Sequence, residues 1–121
     1  MRKILVVDDE SDICDFVRNF FQERGYKVFT ALNGEDAIKI TREEKPELIL
    51  LDIKMKGMDG IAALKHLREI DRNQKIIMVT ALEDQDKMDE AAKLGACDYI
   101  TKPLMLDYLE QAVERNLRVQ L

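Results

Sequence analysis

The sequence predicts an α/β fold in which helices cover both faces of a parallel sheet. Five short apolar runs rich in β-branched residues recur at steady intervals, stretches with helical spacing lie between them, and no linker-like segment interrupts the alternation. Strands that alternate with helices form parallel sheets through right-handed crossovers. We therefore expect a flavodoxin-like, doubly wound sheet of five strands in the order 2-1-3-4-5, with five helices.

The predicted strands are mostly continuous apolar runs rather than alternating ones. Continuous runs are typical of strands that are buried on both faces. The five strands are predicted at Lys3–Val7, Lys27–Ala31, Leu48–Leu51, Lys75–Thr80 and Asp98–Thr101.

Stop and cap signals set the ends of the predicted helices. Gly25 and Gly95 end the first and fourth helices, because glycine suits the left-handed position that follows a helix. Asn33 and Asp59 are predicted to cap the second and third helices. The fifth helix is predicted from about Leu104 to Val119. Apolar residues at steps of three and four define the inner faces of the first and fifth helices, among them Ile13, Phe16, Val17, Phe20, Phe21, Met105, Leu109, Ala112 and Val113.

Composition limits the function classes. The 121 residues predict one domain spanning 1–121, and 19 basic against 24 acidic residues give a net charge of −5, which disfavours direct nucleic-acid binding by this domain. Apolar runs such as Ile4–Val7 are four residues long, whereas a membrane span needs about 20, so no membrane association is expected. Cys14 and Cys97 are predicted to be small buried residues in a protein of the reducing cytoplasm.

Acidic residues follow two of the predicted strands. Asp8 and Asp9 follow the first strand and Asp52 follows the third. The carboxyl ends of parallel strands share one edge of a sheet, and like charges about 4 Å apart repel by roughly 4 kcal/mol at an effective dielectric near 20. We therefore expect a compensating cation. Oxygen ligands without Cys or His favour Mg²⁺ over zinc.

The ends of the fourth and fifth strands supply a different set of groups. The Thr80 hydroxyl, the backbone N–H of Ala81 and the Lys102 ammonium are the groups that a tetrahedral oxyanion needs once a metal neutralises part of its charge. The combination indicates phosphoryl chemistry with a carboxylate as covalent acceptor.

Five segments together resemble the receiver domain of two-component response regulators, of the kind found in chemotaxis regulators. The resemblance covers essentially the whole chain, in order and at matching spacing. The segments are Ile4–Glu10, Leu50–Asp52, Gly57–Gly60, Val79–Ala81 and Gly95–Pro103.

The resemblance implies a phosphorylation-operated signalling switch. Asp52 would accept a phosphoryl group from a phosphohistidine on a sensor histidine kinase or a phosphotransfer protein. Mg²⁺ would be bound by Asp9, Asp52 and the main-chain carbonyl of Lys54, with Asp8 acting through water. The protein would not be an enzyme in the usual sense, since it would catalyse only its own phosphorylation and dephosphorylation.

The same resemblance assigns roles to residues of the last two strands. Thr80, the Ala81 N–H and Lys102 would contact the phosphoryl group. Thr80 and Tyr99 would form the switch, with the Tyr99 ring moving inward when the threonine is drawn to the phosphoryl group. The Lys102–Pro103 bond is expected to be cis.

The face made by the fourth helix, the fifth strand and the fifth helix is implied to be the output surface. It would bind an output domain or an effector protein, or support a phosphorylation-dependent homodimer. Leu106 and Tyr108 are predicted to be exposed contact residues on it. One departure from the family pattern is Lys56, which stands where the family usually has proline. Lys54 and Leu82 occupy places that in this family tune dephosphorylation, and their side chains are expected to flank the entry for attacking water.

Three other functions compete with the switch. A flavin carrier is disfavoured because the acidic segment Asp8–Asp12 would repel a flavin phosphate. A Mg²⁺-dependent phosphatase of the aspartyl-phosphate type is an alternative, although such enzymes usually carry an Asp-x-Asp pattern and a cap domain. A non-phosphorylated binding module of the same fold is the other alternative, but that class usually lacks one of the acidic, threonine or lysine residues.

Overall fold

The computed structural model of the protein describes residues 2–55, 57–81 and 85–118. Lys56, Leu82 and Val119, which the sequence predictions included, lie outside the described residues. Within the described part, none of the helices has the length and apolar character needed to cross a membrane.

Strands and helices alternate along the described chain, and all the strand pairs are parallel. The strand order is β2-β1-β3-β4-β5, as predicted. The elements are β1 (Lys3–Val7), α1 (Ser11–Gln22), β2 (Lys27–Ala31), α2 (Gly34–Glu44), β3 (Leu48–Asp52), α3 (Gly60–Ile70), β4 (Lys75–Thr80), α4 (Gln85–Lys93), β5 (Asp98–Thr101) and α5 (Leu106–Leu117).

Three element boundaries differ from the prediction, and one of them is the end of α5, which lies at Leu117 rather than Val119. β3 extends one residue further and includes Asp52, because that residue still pairs with Val79 of β4. α5 begins at Leu106 rather than at about Leu104, since the Met105 backbone is extended and its carbonyl accepts the first helical hydrogen bond, from the Leu109 N–H at 2.9 Å.

The predicted caps are confirmed by the backbone geometry. Gly25 and Gly95 have φ of 89° and 85°, so each occupies the left-handed position after a helix. The side chain of Asn33 accepts a hydrogen bond from a backbone N–H in the first turn of α2, at 2.8 Å. Asp59 does the same for α3, at 2.9 Å. These local signals fix where the helices begin and end.

The core lies in two layers, one on each face of the sheet. Leu5 and Val7 of β1 point into the layer shared with α2, α3 and α4, whereas Ile4 and Val6 point into the layer shared with α1 and α5. All four residues are at most 4% exposed. This confirms that the continuous apolar strands are covered on both faces.

The burial of several side chains differs from the helical spacing. Phe16 is 52% exposed and Met105 is 64% exposed, although both were predicted to face the core. Cys97 is also exposed. Leu106 was predicted to be exposed but packs half-buried against the α1 and α5 layer, whereas Tyr108 is 66% exposed, as predicted. Spacing identifies the side of a helix, but the extent of the neighbouring elements decides how much of that side is covered.

Candidate functional site

Strand register gathers the candidate residues at the carboxyl edge of the sheet. Val7 of β1 pairs with Leu51 of β3, so the next residues, Asp8 and Asp52, lie side by side. On the other side of β3, the end of β4 pairs with β5 through Thr80 and Thr101. The central strands therefore bring the acidic residues of two chain segments together, and the outer pair brings Thr80 and Lys102 to the same edge.

Three carboxylates form a compact cluster. One carboxylate oxygen each from Asp8, Asp9 and Asp52 lies within 4.8 Å of the others. Asp8 and Asp52 are buried, each 3% exposed, and Asp9 is half-buried. Oδ1 of Asp8 accepts a hydrogen bond from the Glu10 N–H at 2.9 Å, which fixes the orientation of that carboxylate.

Lys102 is a counter-ion of the cluster. Its Nζ lies 3.0 Å from Oδ2 of Asp52 and 3.4 Å from Oδ2 of Asp8. The Lys102 backbone is held by its N–H, which donates to the Thr80 carbonyl at 2.8 Å. The Lys102–Pro103 bond is cis, as predicted.

Burial and neighbouring charges shift the pKa values of two groups in the cluster. Burial raises the pKa of Asp52 to about 6; the hydrogen bond from Lys102 opposes this rise, and the charge of Asp8 adds to it. Burial lowers the pKa of Lys102, but the hydrogen bond that Lys102 donates to Asp52 and the charges of Asp52 and Asp8 outweigh burial and raise it overall. Lys102 thus contacts two buried carboxyl groups, and a carboxylate oxygen of Asp9 lies within 4.8 Å of one oxygen from each, which concentrates oxygen ligands where a cation could bind.

The donor set fits Mg²⁺. This ion takes oxygen ligands at about 2.1 Å, keeps several waters and uses only one or two carboxylates. Carboxylate oxygens within 4.8 Å of one another can surround such an ion directly or through one of its waters. Lys54 is also brought to the cluster, since its N–H donates to Oδ1 of Asp52 at 3.3 Å.

The hydroxyl groups of both predicted switch residues donate hydrogen bonds to backbone carbonyls outside the carboxylate cluster. Thr80 is 1% exposed, and its hydroxyl donates to the Ala81 carbonyl at 3.0 Å. Tyr99 is half-buried, packs against the layer of α2, α3 and α4, and donates its hydroxyl hydrogen to the Met88 carbonyl of α4 at 3.2 Å. Tyr99 therefore connects the end of the sheet to α4.

Two residues that sequence reasoning gave no role support the cluster. Gly60 donates its N–H to the Ile53 carbonyl at 2.7 Å, and a Cβ there would lie 2.1 Å from the backbone carbonyl oxygen of Asp52. A glycine on the first turn of a helix, directly after the Asp59 cap, was the available signal for such a close approach. Cys14 is buried against the Asp8 carbonyl, with Sγ at 3.4 Å, and burial raises its pKa to about 11, so it is a neutral thiol.

Comparisons with known proteins point to one family. The sequence model for the response regulator receiver domain matches residues 4–114. Sporulation initiation phosphotransferase F of Bacillus subtilis is 41% identical over 115 residues, covering 95% of this chain and 93% of that protein. Regulatory protein AtoC of Escherichia coli is 36% identical over 120 residues, covering 99% of this chain but 26% of AtoC. The receiver domain of NtrX from Brucella abortus superposes with a TM-score of 0.90 at 32% identity, covering 97% of this chain and 99% of that domain.

Proposed function

The chain belongs to the response regulator receiver domain family, whose members are phosphorylation-operated switches, and from this premise we propose that Asp52 is its phosphoacceptor. The position of Asp52 supports this assignment: its buried carboxylate ends the central strand β3, next to a second carboxylate and within hydrogen-bond distance of Lys102. A single domain, residues 1–121, would carry the reaction.

In the proposed reaction a carboxylate oxygen of Asp52 bonds to phosphorus. The phosphorus–nitrogen bond of a donor phosphohistidine breaks, and its electron pair stays on the imidazole nitrogen. The donor is a sensor histidine kinase or a phosphotransfer protein. Lys102 and the Ala81 N–H would stabilise the charge on the transferred group, since both are donors at the same edge of the sheet.

Mg²⁺, when bound, would neutralise part of the phosphoryl charge. Asp9, Asp52 and the Lys54 carbonyl would hold it directly, and Asp8 would act through water. Support comes from the cluster of carboxylate oxygens and from the Asp8 carboxylate being held by the Glu10 N–H. The chain would also catalyse its own dephosphorylation, in which water attacks phosphorus and releases inorganic phosphate from Asp52.

Phosphorylation would change the output face through Thr80 and Tyr99. The Thr80 hydroxyl would exchange its bond to the Ala81 carbonyl for one to a phosphoryl oxygen. The Tyr99 ring would then move inward, and its contact with the Met88 carbonyl would change the position of α4. The face made by α4, β5 and α5 would bind an output domain, an effector or a second copy of the chain. Two free cysteines suit a cytoplasmic location.

The test is the intact mass of the protein after incubation with Mg²⁺ and acetyl phosphate. We expect one phosphoryl adduct on the wild type, and none when a chelator replaces Mg²⁺ or when Asp52→Ala is used. An adduct on the Asp52→Ala variant would overturn the assignment. Steady turnover of a small phosphomonoester would favour the phosphatase alternative, and an inert but folded wild type that also fails to bind beryllofluoride would favour the binding module.

A further inference from the structure

Met58 lies directly against the first turn of α2. Gly34, the first residue of that helix, is buried, and a methyl group added to it would lie 2.7 Å from Sδ of Met58 and 3.1 Å from its Cβ and Cγ. Gly34 does not have a positive φ, so its backbone would accept any residue. The reason for glycine here is therefore the space that Met58 occupies.

Met58 belongs to the loop that connects the acceptor strand β3 to α3. The start of this loop is tied to β4, since the Ile53 N–H donates to the Val79 carbonyl at 3.0 Å. Its end is tied back to its start by the bond between the Gly60 N–H and the Ile53 carbonyl, at 2.7 Å. Ile53 and Met55 anchor its inner side in the core. Met58 adds the contact of this loop with α2.

A displacement of Met58 is transmitted to Asp52 through Gly60. Met58 is two residues from Gly60, and no Cβ fits between Gly60 and the backbone carbonyl of Asp52. Gly60 is therefore already in close contact with the backbone of Asp52 and Ile53, so a shift of the loop displaces that backbone. The Lys54 N–H, one residue further, bonds to the Asp52 carboxylate.

We propose that Met58, packed against Gly34, is a positioning residue for the phosphoacceptor. The contact holds the β3–α3 loop so that the Asp52 carboxylate and the Lys54 backbone keep their relative placement. This inference rests on the proposed function, because it concerns the geometry of the same acceptor. It assigns α2, which contributes no residue to the cluster, a role in setting the rate at which Asp52 accepts a phosphoryl group.

The experiment compares four proteins: wild type, Gly34→Ala, Met58→Ala and the double variant. Backbone amide NMR signals of Asp52 to Lys54 report the loop position without any phosphoryl donor, and the rate of adduct formation with acetyl phosphate reports its consequence. Gly25→Ala is the matched control: that residue has a φ of 89° and no atom within 4 Å of its added methyl, so it loses stability through backbone strain alone.

We expect Gly34→Ala to move the Asp52 to Lys54 amide signals and to slow adduct formation by about tenfold, as a small misplacement of a reacting group does. In the double variant the amide signals and the rate of adduct formation should return towards their wild-type values, because removing most of the Met58 side chain makes room for the methyl group. Gly25→Ala should leave both unchanged.

Unmoved amide signals in Gly34→Ala would overturn the inference, as would equal movement in Gly25→Ala or a double variant no closer to wild type. If Gly34→Ala does not fold, a folded double variant with wild-type signals supports the inference, and an unfolded one overturns it. A wild type that accepts no phosphoryl group would instead contradict the proposed function, and it would leave the amide result unchanged.

Discussion

Two aspartates at opposite edges of the sheet have pKa values shifted in opposite directions. At the carboxyl edge, burial raises the pKa of Asp52 to about 6, with Asp8 adding to the shift and Lys102 opposing it. At the amino edge, burial also acts on Asp98, but hydrogen bonds from Arg115, the Tyr99 N–H and Asn116 outweigh it and lower the pKa. Deeper burial and the neighbouring Asp8 charge dominate at Asp52, whereas hydrogen-bond donors dominate at the more exposed Asp98.

Lys and Arg side chains at the amino edge lie at the C-terminal ends of the helices. In a parallel sheet the covering helices finish near the start of the strands, and the last carbonyls of a helix attract positive charge. Each helix of the described chain has a Lys or Arg side chain donating to carbonyls of its last turn or the residues just after it. The pairs are Arg24 with Phe20, Lys3 with Glu44, Arg68 with Asp71 and with Leu94, Arg2 with Leu117, and Lys75 with Asn116.

The comparison teaches that stability and function occupy different edges of one sheet. The amino edge pairs carbonyls at its helix ends with Lys and Arg side chains, so it contributes stability. The carboxyl edge buries Asp52 beside Asp8, which raises the pKa of Asp52 and disfavours its ionised form in the isolated fold, but gathers oxygen ligands for a cation. Substitutions at the two edges should therefore differ in which property they change.

The largest effect is expected from Gly60→Ala at the carboxyl edge. The added Cβ would lie 2.1 Å from the Asp52 carbonyl oxygen, so the acceptor backbone must shift. A displacement of this kind slows a positioned reaction by roughly 100-fold. The rate of adduct formation with Mg²⁺ and acetyl phosphate measures it, with Gly25→Ala as the control for lost stability. A rate within twofold of wild type would show that the junction tolerates movement.

Arg68→Ala, at the amino edge, should lower the stability of the protein and leave its phosphorylation rate unchanged. The Arg68 guanidinium donates to the carbonyls of Leu94, Gly95, Asp71, Arg72 and Gln74, which joins the ends of α3 and α4. Losing these bonds should lower the free energy of unfolding by about 2–3 kcal/mol, since several of the carbonyls can rebond to water. Urea unfolding measures the loss. Arg68→Lys should recover less than half of it, and a changed phosphorylation rate in the folded variant would contradict the separation of the edges.

Asp52→Asn should stabilise the protein in the presence of a chelator. A buried carboxyl with a raised pKa is destabilising where it is ionised, so the folded state binds more protons than the unfolded state between pH 3.8 and about 6 and stability falls as pH rises through that window. The full shift corresponds to about 3 kcal/mol, and relaxation of the protein around the buried charge should leave about 1–2 kcal/mol. Urea unfolding should show that the variant is more stable than wild type above pH 6 and equally stable below pH 4. Equal stability above pH 6 as well would contradict the destabilising effect of the ionised Asp52 carboxylate.

Asp98→Asn should have the smallest effect and the opposite sign. A carboxylate with a lowered pKa stabilises the fold above its unfolded pKa of 3.8 and loses that contribution as pH falls through the folded pKa. The partly exposed hydrogen bonds should contribute about 1 kcal/mol at neutral pH. Unfolding curves of the variant and the wild type should converge in acid. A variant as stable as wild type at neutral pH would remove the contrast between the two aspartates.

Much of the fold could be predicted because its signals are local. The left-handed glycines, Gly25 and Gly95, and the caps Asn33 and Asp59 act within one helical turn, so the sequence alone located them. The strand ends that carry Asp8 and Asp52 followed from the same alternation. The exposure of Phe16, by contrast, depends on how far the neighbouring elements reach.

The sequence by itself determined the alternation of strands and helices, the helix boundaries within two residues and the kinds of group at the carboxyl edge, because hydrophobic periodicity and caps are properties of adjacent residues. The strand order was implied by the fold class and by the resemblance to the receiver family. Only the tertiary structure decided the 3.0 Å contact of Lys102 with Asp52, the packing of Met58 on Gly34 and the close approach of Gly60 to Asp52. These contacts join residues from different elements, so their distances depend on strand register and helix packing, which spacing along the chain does not encode.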